Sequence, residues 1–172
     1  MILTHLGLIV LISCVRLCLS EFSRESTAFT ENNEIPDRYV YSLGNQCSGE
    51  NYSPHLSWSN APPETISFAI YVLDPDGGNW LHWLQFNIPS TTSSLNEEIS
   101  GPNDVGVKAM NSFHTYGYGG PCPPSGTHCY VFTILALDIT LSLSSETIFS
   151  EFQDAVKDHI LDEAKLTGLR TY

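Results

Sequence analysis

Three runs of this chain are apolar at almost every position: residues 66–73 (ISFAIYVL), 83–88 and 130–137 (YVFTILAL). In the first, Ile66, Phe68, Ile70 and Val72 share one face of an extended chain, and Ala69, Tyr71 and Leu73 make the other face apolar too. Strands of this kind belong in the middle of a sheet covered on both sides. The second run is stopped by Pro89, and the third is rich in β-forming residues. Residues 89–127 are dominated by Ser, Thr, Asn, Gly and Pro, and a connection that long in a small domain is either functional or partly disordered. The period then changes. From Ser150, the acids Glu151, Asp154, Asp158 and Asp162 recur at helical spacing, as do Phe152, Val156, Ile160 and Ala164, which predicts one amphipathic helix closed near Gly168. No internal repeat is present. The pattern predicts a mainly β chain of two packed sheets with a late helix.

The first 20 residues stand apart. Residues 6–15 form a secretory-type apolar core, and the small residues Cys18 and Ser20 precede Glu21, where the composition turns polar. The expected division is a signal peptide over 1–20, cleaved near Ser20, and one domain over 21–172. A competing lipoprotein signal ends at Cys14. Arg16 interrupts any membrane-spanning helix here, and no later stretch is apolar for long enough to span a bilayer. The chain is expected to be secreted or periplasmic.

Charge narrows the function classes. The 152 residues from Glu21 onward hold 19 acidic and 6 basic side chains. Such a field repels phosphate polymers and excludes general nucleic-acid binding. Three cysteines remain in that span, Cys47, Cys122 and Cys129, with no CxxC or zinc-finger spacing. One disulfide can form in an oxidising compartment, and the sequence leaves three pairings open.

Two polar knots flank the apolar strands. Asp74-Pro75-Asp76 follows the first run directly, and His82 lies where the second begins. The segment 118–128, from Tyr118-Gly119-Gly120 through Pro123 and Pro124 to His128, leads into the third run at Tyr130. Strands sharing one sheet would bring these acids and imidazoles to one edge. Prolines would fix the loop, and glycines would let a ligand approach its backbone.

With these pieces in order, the sequence resembles the phosphatidylethanolamine-binding protein family, in particular its bacterial Raf-kinase-inhibitor-like branch. The matching segments are Ser53-Pro54-His55-Leu56-Ser57-Trp58, Asp74-Pro75-Asp76, His82-Trp83, Asn87-Ile88-Pro89 and Tyr118-Gly119-Gly120-Pro121-Cys122-Pro123-Pro124. His128 with Tyr130, and Ala136-Leu137-Asp138, extend the match. The resemblance implies a large central antiparallel sheet packed with a smaller sheet, plus a C-terminal helix. It also implies a cavity for phosphate, a phosphoethanolamine headgroup or a similar anion, formed by Asp74, Asp76, His82, Tyr118, Gly120, Pro123, His128 and Tyr130. It brings no cofactor, metal or catalytic residue. Two positions depart from the pattern: Cys129 replaces the usual Arg, and His114 stands where relatives often carry Gly.

Neighbouring carboxylates are expected to keep His82 and His128 partly protonated, with Asp74 orienting one of them. Two other readings remain: an inhibitor of a protease or kinase acting by protein contact, and a metal-dependent phosphoesterase using the two Asp and two His.

Overall fold

A computed structural model describes residues 21–44, 46–97 and 105–172. The signal segment and its lipoprotein alternative lie outside the described residues. Among the described residues, eleven strands and one α-helix follow in the order β1 (Ser23–Glu25), β2 (Asn33–Glu34), β3 (Ser42–Leu43), β4 (Cys47–Ser48), β5 (Leu56–Ser59), β6 (Ser67–Asp74), β7 (Trp80–Pro89), β8 (Ser94–Leu95), β9 (Val107–Lys108), β10 (Thr127–Leu137), α1 (Phe149–Val156) and β11 (Ile160–Thr171). The large sheet has the order β2-β11-β10-β6-β7-β9, antiparallel throughout except where β2 joins β11. A three-stranded sheet runs β1-β5-β8, and β3 pairs with β4.

The doubly apolar run becomes β6, at the centre of the large sheet. Phe68, Ile70 and Val72 pack toward the small sheet with Phe22, Trp58, Trp83, Phe132 and Ile134. Ala69, Tyr71 and Leu73 pack on the other face with Leu84, Phe86 and the helix residues Phe152 and Val156. The sheet is therefore covered on one side by strands and on the other by a helix, which explains its two apolar faces. Residues 89–127 contain β8, β9 and a bridge between Met110 and Tyr116.

The late helix is half the expected length. It ends at Val156, and the segment expected to continue it is the twelve-residue strand β11. Ala164, Leu166 and Gly168 turn inward at every second position, pairing with Ile134, Phe132 and Tyr130 of β10. A spacing of four residues satisfies a period of two as well as one of 3.6, so Ile160/Ala164 and Asp158/Asp162 fit a strand face equally. The long pairing with β10 decides between them.

Gly168 is where β11 passes closest to its cover. A Cβ there would stand 2.5 Å from Ile35 Cγ1 and 2.8 Å from Phe29 Cε2. Both neighbours are buried. Gly168→Ala is expected to cost about 1–3 kcal/mol by overpacking. Urea unfolding measures it, as a lower midpoint at unchanged slope.

Candidate functional site

Strand register builds the site. β6 ends at Asp74, β7 starts at Trp80 beside it, and β10 enters on the other side with His128 and Tyr130. Val72 pairs with Trp83 while Leu73 pairs with Leu81, so one extra residue, His82, bulges from β7. A bulge re-aims side chains. Leu81 and Leu84 pack in the helix-side core and Trp83 in the opposite one, leaving His82 on the cavity wall.

These strand ends enclose a cavity of about 470 Å³. Asp74, Asp76, His82, His128 and Tyr130 line it, joined by Gly77, Trp80, Phe113, Cys122, Pro124 and Ser125. Asp74, 4% exposed, spends both oxygens locally. Oδ1 accepts from the Gly77 amide at 2.7 Å, which closes the turn, and Oδ2 accepts from His128 Nδ1 at 2.7 Å. That bond fixes the second imidazole and leaves its Nε2 for a ligand. Asp76 Oδ2 accepts from the Cys129 amide at 2.8 Å. That bond holds the Asp76 carboxyl below its ordinary range. Burial, followed by Asp76, pushes the Cys129 thiol up, so it is no activated nucleophile.

His82 differs from the expectation. Its Nδ1–H donates to the Gly119 carbonyl at 2.7 Å, and the ring meets Phe113 and Tyr130 edge-on. Burial lowers its pKa from the ordinary histidine value and outweighs the opposing pull of Asp74. The free site therefore holds His82 neutral, with its lone pair on Nε2, rather than partly protonated. Tyr130, 1% exposed, has a buried hydroxyl whose oxygen faces the Cys122 amide and whose O–H finds no acceptor among the described residues. Burial and then Asp74 push its pKa up, so it is a neutral O–H. An orphan hydroxyl on a cavity wall is a donor awaiting an acceptor.

Tyr118, Gly120 and Pro123 do not line this cavity. Tyr118 packs on Trp83 and donates to the Tyr39 carbonyl at 2.8 Å. Gly120 lies against backbone, where a Cβ would meet the Tyr39 carbonyl oxygen at 2.2 Å, and its amide donates to Asn51 Oδ1 at 2.8 Å. Pro123 lines a smaller depression beside Cys47 and Arg170. These three shape the loop from behind.

Aromatic side chains form the mouth of the cavity. Trp80, 43% exposed, stands edge-on to Phe113, which stacks on Tyr41. Phe113 is held by a knot around Asn111, whose Oδ1 accepts from the Phe113 and Thr115 amides and whose Nδ2 donates to the Gly117 carbonyl. Within that knot His114 has φ of 59°, a left-handed conformation that favours glycine. Of the three cysteine pairings, the structure forms Cys47–Cys122 and leaves Cys129 free. The bond ties the cavity loop to β4.

A family model described as phosphatidylethanolamine-binding protein matches residues 25–171. The chain belongs to the phosphatidylethanolamine-binding protein family. It is 42% identical over 147 residues to a UPF0098 protein of Methanothermobacter thermautotrophicus, covering 83% of this chain and 93% of that one. The crystal structure of Escherichia coli YbcL, described as a new member of the mammalian family, superposes with a TM-score of 0.82 at 30% identity. It covers 89% of this chain and 99% of YbcL. A putative phosphatidylethanolamine-binding protein homologue of Chlamydia trachomatis follows with a TM-score of 0.79 at 32% identity, over 88% and 98%. Family members are described as binding proteins, and the shared fold is mainly β with one helix near the C-terminus.

Proposed function

We propose that the cavity binds a small phosphorylated ligand of the phosphoethanolamine type, free or as a lipid headgroup. The orphan Tyr130 hydroxyl beside two tethered imidazoles carries this reading. A phosphoryl oxygen accepts from Tyr130 Oη and from His128 Nε2–H when that ring is protonated. Neutral His82 Nε2 accepts the remaining proton of a phosphate monoanion or takes one from solvent. Asp76, acidic and at the wall, suits the ammonium end of a zwitterion. The metal-dependent reading is weaker, because both Asp74 oxygens already accept hydrogen bonds within the protein. The chain as a whole repels anions, so the ligand is selected by local donors and by size.

The sign of the pH dependence follows. Burial depresses the free-state pKa of His82, and a bound anion raises it. Binding then takes up a proton between the two values, and affinity falls as pH rises through that window. The expected slope approaches about tenfold per pH unit above the free-state pKa. Calorimetric titration of phosphoethanolamine from about pH 5.5 to 8, in buffers of different ionisation heat, checks it. Constant affinity with buffer-independent heats would refute the proton coupling.

We further propose that the chain acts outside the cytosol, released from a signal segment ending near Ser20. The Cys47–Cys122 disulfide supports this, since such bonds persist in oxidising compartments. Mass spectrometry of protein isolated from culture medium or periplasm tests it: a mature chain beginning at Glu21 is expected.

A further inference from the structure

Two loops meet behind His82, and one peptide unit joins them. The Gly119 carbonyl that accepts from His82 Nδ1 at 2.7 Å and the Gly120 N–H that donates to Asn51 Oδ1 at 2.8 Å belong to the same amide. A trans peptide is planar with its C=O and N–H opposed, so fixing one end fixes the other. Glycine on both sides leaves this plane without the Cβ groups that would restrain its rotation. The flanking chain is held separately: the Gly119 amide donates to the His82 carbonyl at 2.7 Å, and the Tyr41 amide to the Pro121 carbonyl at 3.0 Å. Orientation of the shared amide therefore rests on its own two hydrogen bonds. Asn51 is itself anchored, since its backbone N–H donates to the Val40 carbonyl at 2.9 Å. Its φ of 58° is a left-handed conformation that asparagine tolerates.

The plane decides what His82 offers. A carbonyl only accepts, so the observed orientation requires hydrogen on Nδ1 and leaves a lone pair on Nε2. A flipped amide would present its N–H instead, and only the opposite tautomer, with hydrogen on Nε2, accepts it. Phe113 and Tyr130 meet the ring edge-on, with centroids 5.3 and 5.0 Å away, and hold it in place while the amide decides. The two tautomers differ toward a phosphoryl group. The first accepts a proton, whereas the second donates a hydrogen bond to a bare oxygen.

We propose that Asn51 is a positioning residue that sets the His82 tautomer, by holding the Gly119–Gly120 peptide with its carbonyl toward the ring. What the tautomer does for a phosphorylated ligand rests on the function proposed above; the tautomer itself does not. The test is nitrogen NMR of the ligand-free mature protein with isotopically labelled histidine, at about pH 8, where neutral imidazole dominates. In the parent, His82 should carry hydrogen on Nδ1 and show a bare Nε2. Asn51→Gly keeps the left-handed backbone and removes the acceptor. Its tautomer ratio should move at least about fivefold toward Nε2–H, as expected for one lost hydrogen bond. Asn51→Asp restores an acceptor and should return the parent spectrum. Unchanged His82 nitrogens in Asn51→Gly overturn the proposal, as does an Nε2–H form in the parent. So does an Asn51→Asp spectrum that matches Asn51→Gly, the mark of a merely structural side chain. The readout is made on the free protein, so failure of the parent to bind phosphoethanolamine would strike the ligand reading alone.

Discussion

Replacing Asp74 by alanine is expected to destabilise the fold and disable the cavity together. The carboxylate is buried and satisfies the Gly77 amide and the His128 ring at once. Its removal leaves a turn amide and an imidazole N–H unpaired at the end of the central strand. With about 1–3 kcal/mol for each of the two buried groups left unsatisfied, the expected loss is about 2–6 kcal/mol, and Tm falls on the order of 10 °C. The freed imidazole also loses its orientation, so phosphoethanolamine affinity drops by about 10–100-fold. Denaturant melts and calorimetry of the same variant measure both. A variant that lost affinity at unchanged stability would mean that Asp74 acts on the ligand alone.

Removing the disulfide is the other large effect. Cys47 and Cys122 are 75 residues apart, so the bond closes a long loop and restricts the unfolded chain strongly. The chain-entropy relation gives about 4 kcal/mol for a loop of this size. Cys47→Ala/Cys122→Ala is therefore expected to unfold at markedly lower denaturant. Dithiothreitol should bring the parent protein to nearly the same midpoint and leave the variant unmoved. Because Cys122 lines the cavity, ligand affinity should fall with it. If the reductant shifts parent and variant equally, the bond does not set the stability.

Much of this was legible in the sequence, for physical reasons that differ by residue. The strands β6 and β10 announce themselves because burial on both faces demands apolar residues at almost every position, and β7 is marked by its shorter run ending at Pro89. Asp74, His82 and His128 are found by standing at the ends of those strands, where a shared sheet brings them together. What stayed hidden depends on contacts distant in sequence. The acids from Glu151 to Asp162 keep a spacing that helix and strand both satisfy, and only pairing with β10 separates the two. The bulge at His82 depends on a one-residue mismatch with β6 that neither strand displays alone. Its neutrality follows from burial against Phe113 and Tyr130, whereas the visible carboxylates pointed the other way. Tyr118, Gly120 and Pro123 sit in the right loop, yet backbone packing against residues 39–41 turns them from the cavity. The aromatic mouth rests on the Asn111 knot, a local hydrogen-bond pattern that composition does not reveal.

The excess of acids across the chain and the phosphate site proposed for the cavity are compatible because they act at different ranges. Screening confines the general field to roughly 8 Å at physiological salt, whereas Tyr130, His82 and His128 act at contact distance. Among the described residues no lysine or arginine lines the cavity. In the proposed site recognition would depend on protons held by histidine and tyrosine, which would make it sensitive to pH in a way an arginine site would not be.

Calorimetric titration of phosphoethanolamine into the mature protein and into His128→Ala, both at about pH 6, bears on this most directly. The parent should bind one ligand saturably, and the variant, destabilised by about 1–3 kcal/mol through the unpaired Asp74 oxygen yet still folded, should bind it about 10–100-fold more weakly. Equal affinity in the two proteins, or no saturable binding to the parent, would contradict a phosphate site in this cavity.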